Sequence, residues 1–272
     1  MSALAWLMGL AALFLAGRQE QERWIETVVP RMESAEAQLG HARRLKRQML
    51  AKEGTELDFW RRLSVEAYQA VRVFHGAARA ACTEAAFRAG ELLRAGGDEA
   101  AALAEFRWVL QRGLPGDFRA RAGLEIGHLH RRAERWREAL EAYTDVAADP
   151  AVGPARRDDA WLWVGSAWQG LGRDADARQA WTRVAEQGSD ALARVRAFDE
   201  LALLLLAAED LEGAAGVLDR CLASLSARAL EETEEGERVR NALLRMRVVD
   251  ELPRALARRR ASTPAQGTSG KS

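Results

Sequence analysis

Residues 161–185 read WLWVGSAWQGLGRDADARQAWTRVA, and this stretch decides the fold. Gly165 is followed twelve positions on by Ala177, and four beyond that by a large ring, Trp181. Between them Gly172-Arg173 interrupts an otherwise helix-forming run. The same spacing recurs at Gly90, Ala102 and Phe106, and again at Gly127, Ala139 and Tyr143, so the pattern returns every 37 or 38 residues. A degenerate fourth copy puts Ala202, Ala214 and Leu218 in the same slots. A fixed period in the thirties, built from two helical stretches, marks an array of helix pairs. Each pair needs a neighbour to bury its apolar face, so the array stands or falls as a stack.

Composition agrees with an all-α chain. Alanine, leucine, arginine and glutamate dominate, all good helix formers, and only six prolines and two tyrosines occur in 272 residues. Forty basic and forty acidic side chains cancel, so no global field draws nucleic acid. Cys82 and Cys221 are far apart, each in an alanine-rich helix. There a buried thiol acts as a small hydrophobe; a disulfide between them is the alternative. No Cys/His cluster has zinc spacing. Neither a metal nor any other cofactor is expected.

The small residues have a packing reason. Only small side chains let two helix backbones approach to about 8–10 Å, so the glycine and first alanine belong where the paired helices A and B meet. The ring is expected to fill the gap toward the next repeat. Gly97-Asp98, Arg131 to Arg135 and Gly172-Arg173 read as A-to-B turns. Residues 113–117, 149–154 and 188–190 read as the breaks between repeats, with Asp117 and Ser189 suited to N-caps.

These residues resemble the tetratricopeptide repeat (TPR) family. Its consensus has a large residue, a leucine, a glycine and a tyrosine on helix A, then alanine, aromatic and alanine on helix B, often with a closing proline. The third copy is clearest, with Trp161, Val164, Gly165, Trp168, Ala177 and Trp181, while Pro115 and Pro150 occupy closing turns in the first and second. The fourth keeps Phe198, Leu201 and Leu205 but lacks the glycine. The resemblance implies an α-α solenoid with a groove lined by helix A. In that register the groove takes an apolar floor of Phe87, Leu124, Leu162 and Leu203, and a basic zone of Arg94, Arg121, His128, Arg131 and Arg132. An amphipathic or acidic peptide suits such a surface; the alternative is that the arginines only solvate a helix face. Some family members grip a chaperone's carboxylate tail with lysine and asparagine. Here those positions hold Phe87, Leu124, Leu162 and Glu91, His128, Ser166, so that clamp is missing.

The ends differ from the middle. Ser2 to Gly17 carries no charge. No basic residue precedes it and no good cleavage site or lipoprotein cysteine follows it, so an uncleaved single-pass anchor fits better than a signal peptide. Arg18, Arg23 and Arg31 follow the run, which favours cytoplasmic repeats; a periplasmic body is the alternative. Met32, Ala35, Leu39, Ala42, Leu45 and Met49 form a narrow apolar stripe. It either packs on its own domain or pairs two copies as a short coiled coil. Arg43, Arg44, Lys46 and Arg47 beside it form a solvated face or touch anionic lipid.

The chain thus divides into an apolar membrane helix (1–17), a helical spacer (18–57), a cap or eroded leading repeat (58–82), TPR-like repeats (83–225), a capping helix (226–257) and a disordered basic tail (258–272). Within the capping region the periodicity predicts a helix over 238–252, bent or ended by Pro253. His128 and His130 point to different sides of one helix, and no phosphate loop occurs, so no enzyme is expected. Nine tryptophans read chiefly as core. The favoured function is a membrane-anchored scaffold that recruits a protein partner. Alternatives are a self-associating periplasmic envelope-assembly or cell-wall accessory protein, and a regulator binding a small ligand in the tryptophan-rich third repeat.

Overall fold

The computed structural model of the chain describes residues 19–262. The expected apolar helix at 1–17 and residues 263–272 of the expected tail lie outside the described residues. Every regular element among the described residues is a helix, and none of these helices is long and apolar enough to cross a membrane. The chain forms two compact units, Met1–Leu129 and His130–Ser272.

The first unit opens with α1 (19–28), α2 (Ala35–Met49) and α3 (Gly54–His75). The spacer is not one helix. Pro30 cannot donate to a helix ladder and disfavours helical geometry before it, so the chain turns between α1 and α2. Gln38, fully buried, organises that corner: its amide NH2 donates to Pro30 O at 3.1 Å and its Oε1 accepts from Met32 N at 2.8 Å. The stripe on α2 is used inside the chain. Leu39, Ala42 and Met49 are buried in a cluster with Val65, Tyr68 and Val71 of α3. Of the two readings of 32–49, the structure supports packing on the chain's own domain, with the seam facing α3, and gives no support to pairing with a second copy. α4 (Arg79–Ala95) and α5 (Glu99–Arg112) form the next hairpin, with α6 (Asp117–Arg132) after it, in which the division between the units falls. Cys82 is free and buried in this unit, and burial raises its thiol pKa.

The second unit holds α7 (Trp136–Ala148), α8 (Pro154–Gly170), α9 (Asp174–Gln187), α10 (Ala191–Ala207) and α11 (Leu211–Ala229), each packed on the next. Its core joins Ala177, Trp181, Val195, Phe198, Leu201, Ala202, Ala214 and Leu225. Cys221 is free and fully buried there, its thiol pushed up to about 12 by burial.

Two further helices, α12 (Glu234–Leu244) and α13 (Arg247–Ser262), close the described chain. One helix over 238–252 was expected. The break falls instead at Arg245-Met246, because a side chain of α10 caps the start of α13: Asp199 Oδ1 accepts from Val248 N at 3.0 Å, and its Oδ2 accepts from Arg247 Nε at 3.1 Å. Pro253 lies inside α13, and the helix continues through residues 258–262 that were expected in the tail.

The glycine slots explain the period. A Cβ at Gly90 would lie 2.6 Å from Phe106 Cε1, and one at Gly165 would run into the Trp181 indole. Phe106 and Trp181 are both fully buried. The ring thus seats on the glycine of its own hairpin, rather than chiefly on the next repeat as expected. The A-to-B turns carry a second periodic feature. Gly97, Glu134, Gly172 and Glu209 all have positive φ, between 55° and 84°. In each case the following N–H closes on the carbonyl five residues back, as in Asp98 N to Leu93 O and Arg135 N to His130 O, the pattern of a Schellman cap.

Candidate partner-binding surfaces

The residues expected to line a groove divide between the units: Phe87, Arg94, Arg121, Leu124 and His128 in the first, Arg131, Arg132 and Leu162 in the second. Their apolar members do not form an open floor. Phe87 is 0% exposed, Leu124 4% and Leu162 6%. Phe87 is instead the centre of an aromatic cluster, with ring centroids 5.7 Å from Phe106 and 5.3 Å from Phe118. Helix periodicity located these positions on an apolar face but could not say which neighbour covers it; Phe118 does so for Phe87.

The basic zone of the first unit is largely neutralised by its own carboxylates. Arg121 Nη2 donates to Glu91 Oε1 at 3.0 Å, and its guanidinium lies 4.4 Å from the Phe87 ring centroid. Arg88 Nη1 donates to Glu91 Oε2 at 2.8 Å, and Lys46 Nζ lies 3.8 Å from the same oxygen. Arg43 grips Glu84 through two nitrogens, at 2.6–3.1 Å, and the bond to Glu84 raises its pKa. Arg94 Nε lies 3.1 Å from Glu125 Oε2. His128 is half-buried and engaged. Partly exposed pairs of this kind contribute about 0–1 kcal/mol each, so the ladder sets a charge pattern more than it holds the fold. Beside it lies a cavity of about 380 Å³, lined by Leu39, Ala81, Thr83, Glu84, Pro115 and Phe118 among others.

In the second unit the tryptophans have three different roles. Trp181 is core, and its Nε1 donates to Leu162 O at 3.0 Å. Trp163 stacks on Tyr143 at 6.1 Å and lies under Arg131, whose guanidinium is 5.0 Å from its centroid. Arg132 is exposed. Trp161 and Trp168 remain half-buried and line a cleft of about 710 Å³ against α9, which continues past Trp161 into a space of about 170 Å³ near Ala147 and Pro154. Arg183 lies 4.6 Å from the Trp161 centroid and Arg173 lies 4.9 Å from that of Trp168. From sequence these rings were assigned chiefly to the core. The available signal was their seven-residue spacing on α8, opposite Arg173, Arg178 and Arg183.

Among the described residues no group of three or more His, Cys, Asp or Glu side chains could hold a metal. No protein-family model and no curated relative matches the sequence. Solved structures do match in fold. MamA aligns with TM-score 0.50 and 15% identity over 65% of this chain and 95% of its own. PilF of Pseudomonas aeruginosa aligns with TM-score 0.50 and 13% identity over 91% and 95%. PilW, described as a widely conserved type IV pilus biogenesis factor, aligns with TM-score 0.50 and 16% identity over 86% and 97%. These neighbours are TPR-repeat proteins, and the fold is TPR-like. At such identities the likeness speaks to fold; function is argued from the surfaces.

Proposed function

We propose that the chain is a non-enzymatic scaffold, tethered to a membrane through Ser2–Gly17, that recruits a protein partner. The observation that carries the recruiting half is the set of surfaces a TPR-like array leaves open. In the first unit an apolar cavity sits beside the α2–α4 charge ladder; in the second, half-buried indoles sit under arginines. Such arrangements bind segments of other proteins without any reacting group. The tethering half rests on sixteen uncharged residues followed directly by Arg18. A helix of that length reaches about 24 Å, short of a bilayer's ~30 Å of hydrocarbon, and local thinning covers the difference. The flanking arginines favour cytoplasmic repeats.

Fractionation of cells expressing the full chain tests this reading. The protein should sediment with membranes, resist salt and alkaline extraction, and dissolve in detergent; removal of residues 2–17 should move it to the supernatant. Protease added to intact spheroplasts should spare the repeats. A full chain found wholly in the supernatant defeats the tether. Cleavage of the repeats in intact spheroplasts reverses the assigned side and favours the periplasmic alternative.

A further inference from the structure

The cleft between α8 and α9 has an uneven charge balance. Its acidic members are occupied. Asp158 Oδ2 accepts from Ser189 N at 2.6 Å, Ser189 Oγ at 2.7 Å and Asp190 N at 3.1 Å. Asp176 accepts from Arg173 Nε at 2.7 Å, and Glu186 lies 3.5 Å from Arg220. The basic members are not. Arg178 and Arg183 have no hydrogen-bond or ion-pair partner among the described residues, Arg183 only covering Trp161. Arg157 leaves a buried Nε without a hydrogen-bond partner in the adjoining space. Around two half-buried indoles the cleft therefore presents two exposed guanidiniums, Arg178 and Arg183, with unfilled donors.

An unneutralised guanidinium offers a planar fork of donors that matches a carboxylate, while the indoles offer a large apolar surface with few internal rotations to freeze. We propose that this cleft docks an acidic protein segment carrying apolar anchor residues: the anchors lie against Trp161 and Trp168, and the carboxylates pair with Arg178 and Arg183. A basic segment would meet the same guanidiniums as like charges, and a purely acidic one would leave the indoles uncovered. This deepens the scaffold reading, on which it rests, by naming the chemistry of one class of partner. It does not involve Phe87, Leu124 or Leu162, which are buried.

The test uses the detergent-solubilised full chain and a fluorescent synthetic peptide of glutamates interrupted by leucines, read by anisotropy at low ionic strength. The peptide should bind, and added salt should weaken it because exposed charges are screened within about 10 Å at 0.1 M. R178E/R183E reverses two exposed arginines and should weaken binding at least tenfold with an unchanged circular dichroism spectrum. W161L, or replacement of the peptide leucines by serines, should also cost at least tenfold. No binding at low salt overturns the proposal. So does equal binding by R178E/R183E, or equal binding of a lysine-for-glutamate peptide. None of these substitutions touches residues 2–17, so R178E/R183E should still sediment with membranes. Peptide failure with intact sedimentation rejects the cleft alone, whereas loss of sedimentation by the wild-type chain rejects the tether.

Discussion

The Trp181 indole presses on Gly165 so closely that one added methyl group has no room. Its Nε1 is held by Leu162 O and the ring is fully buried, so it cannot swing aside. Gly165→Ala should therefore cost about 1–3 kcal/mol of stability, the usual penalty for overpacking. Trp181→Phe removes the five-membered half of the indole that lies over the glycine, and the double variant should lose less than the two single losses added. Urea denaturation of the four proteins measures that coupling; strict additivity would contradict the contact. The turns offer the opposite case. Glu134 and Glu209 hold φ of 55° and 61° in slots where the other two repeats have glycine. Relief of about 1–2 kcal/mol of left-handed strain outweighs the glycine's entropic cost of about 0.4–1 kcal/mol. Glu134→Gly and Glu209→Gly should each stabilise by about 0.5–1 kcal/mol. The glycine–ring pairing was legible as a spacing. The left-handed turn was legible only where glycine occupies it, since glutamate gives no such signal.

At the scale of elements, the helix-B starts share one backbone shape and differ in capping. Asp98 and Asp210, at φ −83° and ψ 76–78°, accept from Ala101 N and Gly213 N. Arg135 has φ −84° and ψ 71° and makes no side-chain cap. Arg135→Asp should supply the missing acceptor and gain about 1 kcal/mol, seen as a rise in Tm of a few degrees. The elements themselves were mostly legible, because alanine and leucine at three- and four-residue steps specify helix. Cap identity was less so. Ser189 looked like a cap, yet Asp190 takes that role and accepts from Ala193 N, while Ser189 donates to Asp158. The split between α12 and α13 was not legible at all, because it depends on Asp199, about fifty residues earlier in the chain.

At the scale of the whole molecule, balanced composition conceals local imbalance. The chain has zero formal charge, yet carboxyls in the second unit sit where burial disfavours ionisation. Burial raises the pKa of Asp159 from 3.8, against the pull of Arg196 and Arg156, and that of Glu200 from 4.5, against Arg247. Raised folded values mean that the folded state keeps protons the unfolded chain has released. Their stabilising share is complete below the ordinary carboxylate range and is lost as pH rises through the raised values. D159N/E200Q should remove that loss, so its Tm should gain on the wild type as pH rises from 4 through the raised values and then level off by pH 7. A constant difference across that range would remove these two groups from the account. The binding surfaces were the least legible part. The period located helix faces, but the neutralised ladder and the open arginines depend on which carboxylate each guanidinium reaches, and the period carries no information about that.

The placement of the two free thiols has a practical consequence. Cys82 lies shut in one unit and Cys221 in the other, and burial holds both as unreactive thiols rather than thiolates. A thiol-specific reagent added under native conditions can therefore modify each only when its surroundings open. Mass spectrometry of the two labelled peptides would time those openings separately, giving the chain a built-in clock for each half without any engineered probe.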